Sequence, residues 1–213
     1  MLDHQSLLKK QGQQLVPNDK QRIDGHKEAI CLSISFPNYP LFSKFSWSDD
    51  EGRPDYSGWV VLLLDAKVLW ELDCAFCQEN AASNAVRYIP LEDRKNPDAL
   101  ESMFVDVCRD TKGDVYERQS MQIPNHYPTH PQAEVLVFDR IQIDYIKEVH
   151  FYDETILKQW CDSNPWINPE RLLHNQQYFQ YRRDQIVYED DNLDDDVPPA
   201  PPKDDNLDDV IPF

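Results

Sequence analysis

Residues 123–138, Ile-Pro-Asn-His-Tyr-Pro-Thr-His-Pro-Gln-Ala-Glu-Val-Leu-Val-Phe, restrict the fold of this chain more than any other stretch. Pro124, Pro128 and Pro131 each fix their own φ and disfavour helix at the residue before, which predicts a rigid loop. The loop runs directly into Val135-Leu136-Val137-Phe138, an apolar run short enough to read as a buried strand. Glu134 stands at the junction. A carboxylate at the head of a buried strand is costly unless it is paired or used, so Glu134 is a candidate functional residue. The alternative is a solvated glutamate at a strand end.

The rest of the body supplies elements for this strand to pair with. Residues 29–36 alternate apolar and small polar side chains, with Ile30, Leu32, Ile34 and Phe36 on one face of a half-buried strand. Trp59–Leu64 is continuously apolar and predicts a strand covered on both faces, followed by a helical turn over Asp65–Trp70. Ile146–Phe151 reads as a further strand. Helices are expected over 97–108, where Asn96 caps and Pro97 takes the first position, and over 153–161 and 168–177. Residues 46–58 form a polar loop. Residues 1–28 are Gln/Lys-rich, with a short helix over Gln5–Gln14 and nothing to anchor a core. The sum is an α+β domain with a mixed or antiparallel sheet over 1–188.

Charge and cysteine content narrow the function. The 213 residues carry 39 acids and 21 bases, a net charge of −18, and ten of the acids lie in 189–213. Even 1–188, with 29 acids and 20 bases, is acidic, which argues against broad charge-driven binding to nucleic acid. Five cysteines scattered through the chain do not make a disulfide framework, and no apolar run is long enough to span a bilayer. A cytoplasmic protein without membrane contact is expected. The tail repeats Asp-Asp-Asn-Leu-Asp-Asp at 190–195 and 204–209 around a Pro-rich segment, a composition expected to be disordered alone. It reads as a solubilising tail or as a docking or nucleic-acid-mimicking segment.

Chemical motifs are sparse. Cys74-Ala-Phe-Cys77 is a single CxxC, better explained by a packed helix with two buried thiols than by a metal site with His126 and His130, and no metal is expected. Cys31 reads as a buried structural cysteine rather than a nucleophile. A nucleophile elbow, a P-loop and a dinucleotide fingerprint are all absent from the sequence. Gln180-Tyr181-Arg182-Arg183 offers planar donors for a phosphate, or neutralises the acids that follow.

Four blocks together resemble a known family: Ile30–Tyr39, Trp59–Asp65, Cys74–Ser83 with its Cys-Ala-Phe-Cys-x-x-Asn-Ala-Ala-Ser pattern, and Tyr127–Val137. Over about residues 20–152 the chain is similar to the DarT toxins, NAD-dependent ADP-ribosyltransferases of DarT–DarG toxin–antitoxin systems. The resemblance implies an ADP-ribosyltransferase-like split mixed sheet with flanking helices, NAD as co-substrate, and transfer of ADP-ribose to a base in single-stranded DNA. It further implies a monomer countered by a macrodomain antitoxin. Glu134 matches the catalytic glutamate, and Asn125–Ala133 the acceptor loop, with His126, Tyr127, His130 and Gln132 facing the nucleic acid. Asn38, Tyr39, Asn80 and Ser83 would line the NAD cleft, with Arg182 or Arg183 on the pyrophosphate or the DNA backbone. Two departures accompany the match. Pro37–Pro40 stands where many members carry an arginine, and the family's initial His-containing strand is expected to be missing ahead of Met1. The alternatives are a truncated relative serving as a binding or decoy module, and an ADP-ribosyltransferase acting on RNA.

Overall fold

The computed structural model describes residues 22–40, 42, 47–48, 54–56, 58–165 and 168–182. The helix expected over 5–14, the acidic tail and Arg183 lie outside the described residues. Strand β8 (Glu134–Val137) forms where the sequence predicts it and is buried along its whole length. It is the centre of a three-stranded sheet in the order β1-β8-β5, with β1 at Ile30–Leu32 and β5 at Cys74–Cys77, both antiparallel to it. The pleat sends Val135 and Val137 to one face, against Ile30, Cys74, Phe76, Val68, Met103 and Ile141. It sends Leu136 to the other face, with Ala29, Ala75, Cys77, Ala81 and Val86. Both faces are therefore covered, and Glu134 shares the second face with Leu136 and Cys77.

Two elements of this sheet depart from the sequence reading. Cys74–Cys77 is a strand, not a helix; with all four residues buried, no periodicity distinguishes the two from sequence. The strand expected over 29–36 ends at Leu32. Ser35 takes a φ of +63° and its hydroxyl donates to the His126 carbonyl at 2.6 Å, so the chain turns towards the Pro-rich loop instead of extending.

The second three-stranded sheet has the order β10-β9-β4, with β4 at Val60–Leu64, β9 at Ile146–Phe151 and β10 at Leu172–His174. β4 is antiparallel and β10 parallel to β9, so this sheet is mixed. The helix between β9 and β10 (Glu154–Ser163) is capped by Asp153, which accepts from Thr155 and Ile156 N–H. The expectation that β4 is covered on both faces is corrected: it is an edge strand, and Val60 and Leu63 are exposed. The helix expected over 168–177 is likewise replaced by two 3-10 turns flanking β10, each opened by an asparagine (Asn168, Asn175) that caps the turn. Two short hairpins complete the strands, β2 (Trp47–Ser48) with β3 (Pro54–Asp55) and β6 (Val107–Arg109) with β7 (Val115–Glu117). A Tyr39–Tyr56–Phe179 cluster, ringed by Phe42, Trp59 and Tyr152, packs beside β4 and β9.

Helix Pro97–Ser102 keeps the predicted cap, with Asn96 Oδ1 accepting from Ala99 N–H at 2.8 Å, but it stops early and β6 takes the end of the expected span. Asn96→Ala leaves that N–H without its acceptor, with an expected cost of about 1 kcal/mol in a urea unfolding titration.

Candidate active site

Glu134 is 5% exposed and makes the hydrogen bonds that its position demands. Its Oε1 accepts from Asn80 Nδ2 at 3.0 Å and its Oε2 from Ala81 N–H at 2.9 Å. The turn after β5 is built to provide both. Asn80 Oδ1 accepts from Ala82 N–H at 2.9 Å, an Asx turn that fixes the amide with its NH2 towards the glutamate. Asn38, carried by the turn after β1, also faces the carboxylate and favours its ionised form. Glu134 is the register partner of Cys77, so the end of β5 and the turn that follows lie alongside it by construction.

Burial pushes the Glu134 carboxyl up to about 7, against the Ala81 N–H, which favours the anion. Asp24 raises it further, while Arg22 and Asn38 lower it. A group poised at neutrality acts as anion or acid in the working range. Arg22 and Asp24 were missed from the sequence, where residues 1–28 read as unable to anchor anything. Arg22 is 9% exposed; its Nη2 lies 2.6 Å from Asp24 Oδ2 and its Nη1 donates to the Ala29 carbonyl at 2.9 Å. The signal available was weak: one arginine in a polar run, followed by Asp24-Gly25 and the start of a strand.

The other expected residues separate into groups. Asn38 and Asn80 converge on Glu134. Ser83 lies beside Glu79. Tyr39 is packed in the aromatic cluster, its hydroxyl 2.7 Å from that of Tyr56. Arg182 is 2% exposed and donates to the Pro128 carbonyl at 2.7 Å and the Thr129 carbonyl at 3.4 Å. In the Pro-rich loop, His126 is exposed, Tyr127 and Gln132 are half-buried, and His130 is buried. His130 Nδ1 accepts from Gln132 N–H, and burial lowers its imidazolium pKa to about 4, so the ring is neutral. Cys31, expected to be buried, is exposed in β1, and desolvation by the protein around its thiol together with the Glu134 charge raises its pKa, which makes it a poor nucleophile. A cleft of about 400 Å³ opens off the free edge of β5, bounded by Cys77, Gln78, Ile89, Arg94, Arg109 and His130. Among the described residues no group of three or more His, Cys, Asp or Glu is placed to hold a metal ion, and no helix is long and apolar enough to cross a membrane.

A family model described as ssDNA thymidine ADP-ribosyltransferase, DarT, matches residues 18–164. The chain belongs to the DarT family. It is thus an NAD-dependent ADP-ribosyltransferase, of a family that acts on single-stranded DNA. No curated protein matches the chain. The match spans Arg22, Asn38, Asn80 and Glu134, and it ends before β10 and Arg182. The site suits the ribose of NAD: an ionised carboxylate offers about four lone-pair sites, and the hydrogen bonds from Asn80 and Ala81 occupy two, which leaves acceptor capacity for a sugar hydroxyl.

Proposed function

We propose that the chain transfers ADP-ribose from NAD to a nucleobase of single-stranded DNA, with Glu134 as the catalytic residue, and that it acts as the toxin of a toxin–antitoxin pair. The buried Glu134, held by Asn80 and Ala81 at the head of β8 in a chain of the DarT family, carries this reading. The family's description favours thymine as the base. The two three-stranded sheets correspond, in this reading, to the split sheet of ADP-ribosyltransferases.

NAD supplies the ADP-ribosyl group and a nicotinamide that leaves as a neutral molecule. Cleavage of the glycosidic bond develops positive charge on the ribose, as in glycoside hydrolysis. The Glu134 carboxylate holds a ribose hydroxyl and stabilises that charge, with its geometry fixed in advance by Asn80 and Ala81. The same carboxylate polarises the incoming base and takes the proton that the base loses as its bond to the ribose forms. Asn38 and Asn80 line the NAD side, and the exposed tip of the Pro-rich loop, Asn125 and His126, faces the acceptor. The partner expected to reverse the modification is a macrodomain antitoxin, and the active form is a monomer.

Labelled NAD incubated with short single-stranded oligonucleotides tests the reading. Label is expected on thymidine-containing DNA and not on thymidine-free DNA. Label on RNA alone moves the acceptor to RNA; silence on every DNA and RNA, with wild type and Glu134→Ala alike, sinks the proposal.

A further inference from the structure

The Pro-rich loop closes two short backbone turns of its own, Tyr127 N–H to the Pro124 carbonyl at 2.9 Å and Ala133 N–H to the His130 carbonyl at 3.1 Å. Its three prolines lack N–H groups, so the carbonyls of 124–129 have few backbone donors at hand, and buried carbonyls must find partners. Two arginines supply them, one a few residues ahead of the loop and one far beyond it in the chain. Arg118, just after β7, donates from Nη1 to the Tyr127 carbonyl at 2.8 Å and to Thr129 Oγ1 at 3.1 Å, and from Nη2 to the Pro124 carbonyl at 2.8 Å. Arg182, after β10, takes the Pro128 and Thr129 carbonyls, and its guanidinium carbon lies 5.3 Å from the centroid of the Tyr127 ring. Between them they engage the carbonyls of 124, 127, 128 and 129. Thr129, fully buried, ties the base of the loop inward through its N–H to the Met103 carbonyl and its hydroxyl to the Val105 carbonyl. The grip is on the base, while Asn125 and His126 at the tip stay exposed.

We propose that Arg118 and Arg182 are positioning residues for the transfer step: they fix the loop ahead of Glu134 in the shape that receives the acceptor strand. The inference rests on the functional reading above. Neither arginine needs to touch substrate. Each acts through loop carbonyls, five residues before Glu134 at the nearest. A planar guanidinium reaches two carbonyls at once, and a lysine ammonium does not reproduce that fork. The role of Arg182 also gives the segment beyond the family match a task in the reaction, because β10 and the turn after it deliver this side chain to the loop.

The test uses the full chain and its Arg182→Ala, Arg182→Lys and Arg118→Lys variants, with steady-state transfer to a thymidine-containing oligonucleotide. Arg182→Ala is expected to raise KM for the oligonucleotide on the order of tenfold. KM for NAD should stay within about twofold of wild type, because the Glu134 contacts are left in place. The lysine variants are expected to fall between. Hydrogen exchange supplies a second measure: in Arg182→Ala the amides of Tyr127, Thr129 and Ala133 should exchange on the order of tenfold faster, while those of β8 do not change. A variant too unstable to assay is replaced in both arms by Arg118→Lys, which keeps the charge. An active wild type whose variants leave KM for the oligonucleotide unchanged, or raise both KM values together, overturns the inference alone. So does unchanged exchange at the three loop amides. A wild type that labels no nucleic acid overturns the functional reading, and the inference falls with it.

Discussion

Glu134→Gln should lower kcat for ADP-ribosyl transfer by on the order of a hundredfold or more, with KM for NAD nearly unchanged. The amide keeps the volume of the acid and one acceptor oxygen; it loses the charge that matters when the ribose becomes cationic, and it turns an NH2 towards either Asn80 Nδ2 or the Ala81 N–H. The wild-type rate should follow the ionised fraction, rising with pH to a plateau above about 7 and falling tenfold per unit below it. A profile that stays flat from pH 5.5 to 8 removes Glu134 from the catalytic step. Stability carries the same signature with the opposite slope. The folded carboxyl titrates at about 7 and its ordinary value is 4.5, so between those values the native state binds the extra proton. The contribution is fully present below pH 4.5 and is lost as pH rises through 7. The loss amounts to about 3 kcal/mol. Glu134→Gln abolishes it, so the stability of the variant relative to wild type should improve by about that amount between pH 4.5 and 8, measured by urea unfolding at each pH. The carboxylate proposed to be catalytic is one that the fold holds at a cost.

The centre of the fold was legible because its signals are local. Three prolines, an acid and an apolar run placed the loop, the junction and β8, and the Asn96–Pro97 start of its helix followed from capping chemistry. Failures clustered where local pattern carries no information. Cys74–Cys77 has four buried residues and hence no alternation to read. Val60–Leu64 is as apolar as a central strand, yet its place at a sheet edge is decided by what β9 pairs with. Residues 168–177 have helix-compatible composition, and the parallel pairing of β10 with β9 overrides it. The site divides in the same way. Asn80 and Asn38 stood in sequence blocks distinctive enough to single out. Arg22 and Arg118 have no local mark, because what they do depends on carbonyls and carboxylates brought to them by the fold.

Replacing Arg22 by alanine is the second large effect, and it should act on stability and on catalysis together. The guanidinium is buried against Asp24, whose side chain is 6% exposed, and it also serves the Ala29 carbonyl just ahead of β1. Removing one partner of a buried ion pair strands the other, a loss of about 3–5 kcal/mol. Asp24 would then stand beside Glu134 without its counter-charge. Because Asp24 raises the Glu134 pKa and Arg22 lowers it, the loss of Arg22 pushes that pKa upward. The midpoint of the pH–rate profile should move to the alkaline side, leaving less active anion at neutral pH. Arg22→Ala/Asp24→Asn should recover part of both losses, since the stranded charge goes with the second change. The coupling appears as non-additivity in a double-mutant cycle. Arg22 also sits at φ +45°, where a side chain costs about 1 kcal/mol and glycine does not. Arg22→Gly is therefore expected to be less destabilising than Arg22→Ala by about that amount, with the same alkaline displacement of the rate profile. If the two variants match in stability, the backbone contribution is absent. If the profile keeps its midpoint while stability falls, Arg22 holds the fold and does not tune the glutamate.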